Sequence, residues 1–408
     1  MKFVFINRYF YPDLSATSQL LTDLAVALAA AGHDVHVVTS RLLHDDLDRR
    51  LPSVEQISGV NVHRVWTSRF GRARLAGRAV DYLTFYASAG GCLLRLLKRG
   101  DVLVIKTDPP LIGLIATPCA RVKGAKVVNW VQDLFPEVAQ QLGLKVTSGV
   151  VGRWLLAWRN ACLRRADMNV VLGERMADRL SACGVAPERL RIIHNWANGD
   201  AIMPLGRREN FLRERWQLGD AFVVGYSGNL GRAHEFDALL SAATLLRDRS
   251  DIVFLIIGDG HARAALASAV SSRGLTQVRF QPYQPREMLP YSLTLFDAHL
   301  VSLRPELEGL IVPSKLYGAL AAGRPVVFMG DPDGEAARVV RQCDCGVTVA
   351  PGDGQALART ILSWCDDRQR LASLGEHARE AFVQRFSRQH ALAQWAHTMA
   401  QQAQVLSA

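Results

Sequence analysis

The sequence predicts an α/β protein built from two doubly wound, Rossmann-like domains whose sheet edges face a shared cleft. Three observations carry that expectation. The 408 residues, 49% of them hydrophobic, suffice for two cores. Short continuous apolar runs alternate with helix-length segments, the pattern of a parallel sheet covered by helices. The alternation lapses once, over "WANGDAIMPLGRRENFLRERWQLGD" (196–220), and then restarts. The expected domains are residues 1–197 and 198–386, with a last helix, 387–408, packing back onto the first.

The elements follow in order. "KFVFI" (2–6) reads as a strand buried on both faces. An Ala/Leu helix over 16–31 closes at Gly32, a residue suited to a left-handed helix end. "DVHVVTS" (34–40), "VNVHRV" (60–65), "DVLVI" (101–105), "AKVVNWV" (125–131), "MNVVL" (168–172) and "LRIIHN" (190–195) continue the strands. Helices are expected near 80–98, 110–122, 149–166 and 174–183. After the linker, "FVVGYSG" (222–228), a helix over 235–248, "IVFLIIGDG" (252–260), "VRF" (278–280), "DAHLVSL" (297–303) and "PVVFMG" (325–330) form the second series, with helices from 354 onward.

Charge is unevenly placed. Residues 1–197 hold 26 Lys and Arg against 16 Asp and Glu, and residues 198–408 hold 22 of each, so the formal excess of +10 lies in the first half. Such a half suits a polyanionic partner or an anionic membrane face, or serves as a solubilising surface. The seven cysteines include no CxxC and only one close pair, Cys343 and Cys345, which fits reduced thiols and no metal site. "MKFVFINRYFYPD" is broken by Asn7 and Arg8 and reads as no secretory signal. No apolar run approaches the roughly 18 residues of a membrane span. A cytoplasmic protein, peripheral on the inner face of a membrane, is the expectation.

Three strand-to-helix corners of the second half suit an anion. In "GYSGNLGRAHEFD" (225–237), Gly228 and Gly231 permit close backbone approach, and Arg232 adds a fixed charge beside Asn229. "GDGHAR" (258–263) supplies Gly258 and Gly260 at a second turn. In "VPSKLYGALAAG", Ser314 takes an N-cap position, followed by Lys315 and Leu316. A lysine in the first turn opposes the helix dipole, which an anion there would explain; the plain alternative is a solvated side chain. Together the corners describe a diphosphate site that needs no metal.

"GNLGRAHEFDALLSAA", "FLIIGDG", "VPSKLYGALAAGRPVV" and "GEAARVVRQCDCGVTVAPGD" stand in one order, behind an N-terminal "YPDLSATSQLLTDLAVALAAAGHDVHVVTS". That series resembles the retaining GT-B-fold glycosyltransferases of family 4 (glycosyltransferase group 1) over nearly the whole chain. "WVQDLFPE" (130–137) resembles the subset acting in bacterial surface-polysaccharide assembly. The resemblance implies transfer of a sugar from a UDP- or GDP-sugar to a hydroxyl of a lipid-linked or oligosaccharide acceptor. Anomeric configuration would be retained, with neither metal nor cofactor; "DPD" (331–333) is not taken as a metal site.

The chain departs from the family where charge is concerned. Asn229 and His234 occupy the places of the family's arginine and lysine, so Arg232 and Lys315 are the substitutes. The family's two glutamates fall on Leu310 and Gly318. The resemblance therefore shifts the donor-sugar contact to Glu308, in "EG", and assigns Glu335 to ribose or to a simple helix-start acid. Ser15, Ala16 and Thr17 replace the family's Gly-Gly loop at the donor and acceptor. Asp133 follows an apolar strand at the cleft edge and either orients or deprotonates the acceptor hydroxyl, or caps the "LFPE" segment.

Segments 68–100 and 150–165 mix Arg69, Arg72, Arg74, Arg78, Arg95, Lys98 and Arg99 with apolar residues and two tryptophans. They suit an anionic membrane surface, with core packing as the alternative for the apolar side chains. Two other functions compete: a nucleotide-sugar epimerase on the same fold, and a basic nucleic-acid-binding protein. The first half offers few carboxylates and histidines for the former. The neutral second half, and the lack of interleaved aromatics and known modules, exclude nucleic acid as the expected partner.

Overall fold

The computed structural model describes residues 1–44, 46, 48–71, 75–144 and 149–404. By contacts the chain divides into two compact units, Met1–His194 with Leu392–Ala408, and Asn195–Ala391.

The first unit runs β1 (Lys2–Ile6), α1 (Ala16–Ala30), β2 (Asp34–Ser40), β3 (Val54–Ile57), β4 (Val60–Val65), α2 (Leu75–Leu96), β5 (Val102–Lys106), α3 (Gly113–Lys123), β6 (Lys126–Trp130), α4 (Glu137–Gln141), α5 (Gly149–Arg165), β7 (Met168–Val171), α6 (Glu174–Ala182) and β8 (Leu190–Ile192). The eight strands lie in the order β3-β4-β2-β1-β5-β6-β7-β8, and all pair in parallel except β3 with β4. Val4, Ile6, Leu103 and Ile105 pack on Phe85, Leu93 and Ala116 of the covering helices.

The second unit runs α7 (Leu212–Arg215), β9 (Phe222–Ser227), α8 (Asp237–Leu245), β10 (Ile252–Ile257), α9 (Arg263–Ser272), β11 (Val278–Gln281), α10 (Leu289–Thr294), β12 (Ala298–Ser302), α11 (Lys315–Ala321), β13 (Val326–Met329), α12 (Glu335–Gln342), β14 (Gly346–Val349), α13 (Gly354–Asp366) and α14 (Arg368–Ala381). Its parallel sheet has the order β11-β10-β9-β12-β13-β14. β10 is buried along its whole length, as its "IVFLII" requires. The last helix, α15 (Arg388–Gln404), places fully buried Trp395 at 4.8 Å from Trp130 in the first unit.

Two strands escape the sequence pattern. β3 is short and polar and joins β4 through Ser58 and Gly59, both at positive φ (47° and 83°), a hairpin turn that reverses the chain in two residues. β14, "GVTV", is a half-buried edge strand with no apolar run to announce it.

In each sheet the winding direction reverses once, between β1 and β5 in the first and between β9 and β12 in the second. Loops leaving the carboxyl ends of the strands on either side of such a reversal diverge and leave a crevice, the favoured ligand position in doubly wound sheets.

Candidate functional site

At the reversal in the second unit, glycine backbone and one lysine meet. Gly228 and Gly258, at φ 132° and 137°, end β9 and β10 side by side. A Cβ at Gly258 would land on the Gly228 carbonyl oxygen, and one at Gly260 would strike Leu230 and the Asn229 side chain. The two turns are thus held backbone to backbone, with the Leu230 amide donating to Asp259 O at 2.9 Å. Asn229 and Arg232 are exposed at the rim.

Lys315 lies across this loop. A Cβ at Gly228 would come within 2.6 Å of Lys315 Cε. Lys315 Nζ is 2.9 Å from His234 Nε2 and 5.2 Å from the centre of the Tyr226 ring. Burial lowers the Lys315 pKa to about 8, so the ammonium form still prevails at neutral pH. Burial, and then the Lys315 charge, lower His234 to about 4. The solvated-lysine alternative does not describe this side chain.

Three expectations at this corner need correction. Ser314 is exposed, takes a helical φ/ψ and makes no side-chain cap, because the chain is already turning at Pro313. Leu316 is fully buried, and its amide donates to Pro313 O at 3.2 Å, so it presents nothing polar to a ligand. Glu308 is buried, and its Oε1 accepts the Glu335 amide at 2.7 Å, so it secures the start of α12 rather than pointing at a sugar. Gly334 fits this arrangement, since a Cβ there would come within 2.5 Å of Glu308 Oε2. Glu335 is itself buried, with its backbone amide held by Glu308. Leu310 is buried in the core, and Gly318 meets only Leu293 at 3.5 Å, so neither family glutamate position is reconstituted by its occupant.

In the first unit Ser15, Ala16 and Thr17 line an open pocket of about 350 Å³ with His44, Arg78, Tyr82 and Asp108. Ser15 sits at the N-cap of α1 without a side-chain cap bond; its amide donates to Asp13 Oδ1 at 2.8 Å. Thr17 Oγ1 donates to Asp108 Oδ2 at 3.2 Å, which ties the start of α1 to the loop after β5 across the reversal. Arg78 Nε donates to the Tyr82 hydroxyl at 2.9 Å. The sequence signal for these two was their i, i+4 spacing on α2; His44 and Asp108 carried none beyond following a strand.

Asp133 is half-buried after β6 and lines a smaller cavity of about 50 Å³ with Thr107, Asn129 and Arg159. Burial raises its pKa to about 6, a Thr107 hydrogen bond opposing and Asp108 adding to the rise. Its Oδ1 is buried without a hydrogen-bond partner. The cap alternative fails, because α4 starts from Pro136 with no side-chain cap.

α5 settles another alternative. Val150, Val151, Trp154 and Trp158 are all exposed (59, 58, 62 and 57%) and recur at helical spacing along one face. Core packing therefore does not account for the tryptophans. Trp66 and Phe70 stand out at 61 and 68%, and Leu83 of α2 at 63%. Arg72 and Arg74, expected in the same patch, lie outside the described residues. No helix among the described residues is long and apolar enough to cross a membrane.

Comparisons with known proteins point one way. The family described as glycosyl transferases group 1 matches residues 208–381, and a glycosyl transferase 4-like domain matches residues 17–196. A Pseudomonas aeruginosa protein named "Probable glycosyltransferase WbjE" is 30% identical over 295 residues, 71% of this chain and 72% of that protein. WcaI of Escherichia coli K12, provisionally named a colanic acid biosynthesis glycosyl transferase, is 26% identical over 353 residues, 81% of this chain and 84% of its own. Among solved structures, Anabaena HepE in complex with UDP-glucose superposes with a TM-score of 0.73 at 17% identity, covering 98% of this chain and all of the other (100%).

Proposed function

Because the chain belongs to the glycosyltransferase group 1 family, we propose that its second unit seats the diphosphate of a UDP- or GDP-sugar against Lys315, and that the sugar passes to a hydroxyl of a lipid-linked glycan. The protein is a glycosyltransferase with the two parallel-sheet units of the GT-B fold. The observation that carries the donor reading is the Lys315 ammonium lying over the Gly228 loop with no carboxylate in ion-pair contact among the described residues. A half-buried cation without a counter-ion is costly, and a diphosphate supplies the missing charge.

The chemistry follows from where charge develops. As the glycosidic bond breaks, negative charge gathers on the leaving diphosphate. A preorganised ammonium stabilises that state more than the ground state, which is what accelerates transfer. Arg232, exposed at the rim, adds a second cation. In the first unit, Asp133 with a pKa near 6 is ionised at neutral pH and suited to accept the acceptor's proton. Retention of configuration and independence of metal are part of the reading, supported by the family pattern and by a cationic corner fit for diphosphate.

The acceptor and its location are read from the first unit. The exposed Trp154 and Trp158 beside Arg153, Arg164 and Arg165 suit an anionic membrane surface, where a lipid-linked glycan is presented. WcaI, named for colanic acid biosynthesis, supports a surface polysaccharide as the product class.

One assay tests the whole. The protein is incubated with UDP- and GDP-sugars, with and without a polyprenyl-diphosphate-linked glycan, in EDTA and in Mg²⁺. Nucleoside diphosphate released only with acceptor, equally in both buffers, and a product of unchanged anomeric configuration are expected. Sugar interconversion without acceptor would replace the reading with an epimerase. Sedimentation with anionic vesicles at low salt, weakened by Trp154→Ala and Trp158→Ala together, tests the surface; no sedimentation at low salt would remove it.

A further inference from the structure

His234 stands where the family resemblance calls for a lysine, and its contacts show what it does instead. Its Nδ1 is 2.7 Å from the Ser302 carbonyl oxygen, which only accepts, so the ring proton resides on Nδ1. Nε2 is then a lone pair, and it faces Lys315 Nζ at 2.9 Å. We propose that His234 is a positioning residue for glycosyl transfer: its neutral imidazole accepts an N–H of Lys315 and aims the ammonium at the donor diphosphate. The positive charge that relatives carry on the loop after β9 is thereby delivered from α11, with the histidine as its anchor. The inference rests on the donor reading given above.

The lysine is confined from three directions. Gly228 leaves room for its Cε, the Tyr226 ring flanks its Nζ, and His234 takes one of its protons. Tyr226 is in turn fixed, its hydroxyl donating to Asn229 O at 2.8 Å, and its ring lies edge-on to His234 at 5.9 Å. The titratable groups facing Lys315 are therefore Tyr226 of β9 and His234 of the following loop, both neutral at pH 7; burial raises the Tyr226 phenol far above its ordinary range. Among the described residues no carboxylate of β12, β13, α12 or α14 is paired with Lys315. Its charge rests on one accepted hydrogen bond and on the anion it meets. Removing that acceptor makes the charged form harder to hold in a half-buried site.

The test is the pH dependence of UDP and GDP affinity in the full chain, measured calorimetrically for the native protein, His234→Phe and His234→Gln. In the native protein, affinity is flat near pH 7 and falls about tenfold per pH unit above about 8. In His234→Phe the fall begins about one unit lower, and affinity at pH 7 drops about twofold. His234→Gln, which restores an acceptor oxygen, moves the fall back toward the native pH. An unmoved profile in His234→Phe overturns the positioning role while leaving the donor site standing. Binding of neither nucleotide to the native protein overturns the donor site itself. Nitrogen-15 NMR of the native histidines gives an answer independent of any variant. A neutral His234 protonated on Nδ1 at pH 7 is expected, and protonation on Nε2, or on both nitrogens, would overturn the inference.

Discussion

The two units share an architecture and differ in the charge they hold at the reversal of their sheets. In the second, the corner is glycine backbone and a single ammonium, with histidine and tyrosine as neutral walls. In the first, carboxylates enter: the corner sets Asp108 with Arg78, and the cavity near it sets Asp133, pushed up to about 6, with Arg159. Yet the first half carries the chain's positive excess and the second is neutral. Net charge of a region and charge at its ligand edge are thus separate quantities. The surplus arginines sit on helix faces such as those of α2 and α5, while the edge is set by the few side chains that leave the strand ends.

The largest expected effect tests how the second corner is built. In Gly258→Ala the new methyl meets a backbone carbonyl at a φ that L side chains rarely adopt. We expect a loss of about 3 kcal/mol or more in urea unfolding, carried by the second unit. A loss under about 1 kcal/mol would show that the two turns part easily.

Next is the contrast in chemistry. Asp133→Asn should lower kcat by about 10²–10⁴ and abolish an acid limb near pH 6, with UDP affinity unchanged. A retained limb would assign it to another group. If nucleotide affinity fell instead, Asp133 would belong to the donor side.

The units should also answer acid differently, the second through buried histidines and the first through groups of both signs. His234 and the fully buried His299 are each held at about 4, below their unfolded value, so the unfolded chain binds more protons between about pH 6.5 and 4. The second unit therefore loses stability as pH falls through that window. In the first unit Asp133 is raised, so its contribution is present below about pH 4 and is lost as pH rises through about 6, while His36 and His63, lowered by burial, act in the opposite sense. Denaturant titrations with a probe in each unit, at pH 7 and 4.5, should show the second weakening. An unchanged midpoint would mean that these histidines are hydrated.

The architecture was legible because it rests on apolar continuity. β1, β5, β9 and β10 are buried runs that no other element explains. β3 and β14 were not, since a polar hairpin and a half-buried edge strand bury too little to leave a pattern. At the site, Gly228, Gly258 and Lys315 were legible from residue type alone: glycines at strand ends, and a lysine at the wrong end of a helix. Glu308 was misread because a carboxylate that holds a helix start looks, in sequence, like one that holds a sugar. The contacts of His234 are not legible in sequence, because its partners, Ser302 and Lys315, are distant along the chain.

The smallest expected effect concerns the missing glutamate. A Cβ at Gly318 meets only Leu293 at an ordinary 3.5 Å, inside a helix. Gly318→Ala should gain roughly 0.5–1 kcal/mol with transfer unchanged. Lost activity would place a ligand against that glycine.

Lys315 is the residue on which donor binding turns. Turnover of the UDP- or GDP-sugar that proves to be the donor should be compared in the native protein and Lys315→Ala, with thermal unfolding recorded for both. We predict that kcat/KM falls by about 10²–10³ while the unfolding midpoint holds or rises, since the substitution removes a half-buried charge. Near-normal turnover in a folded Lys315→Ala protein would contradict the assignment of this corner to the diphosphate.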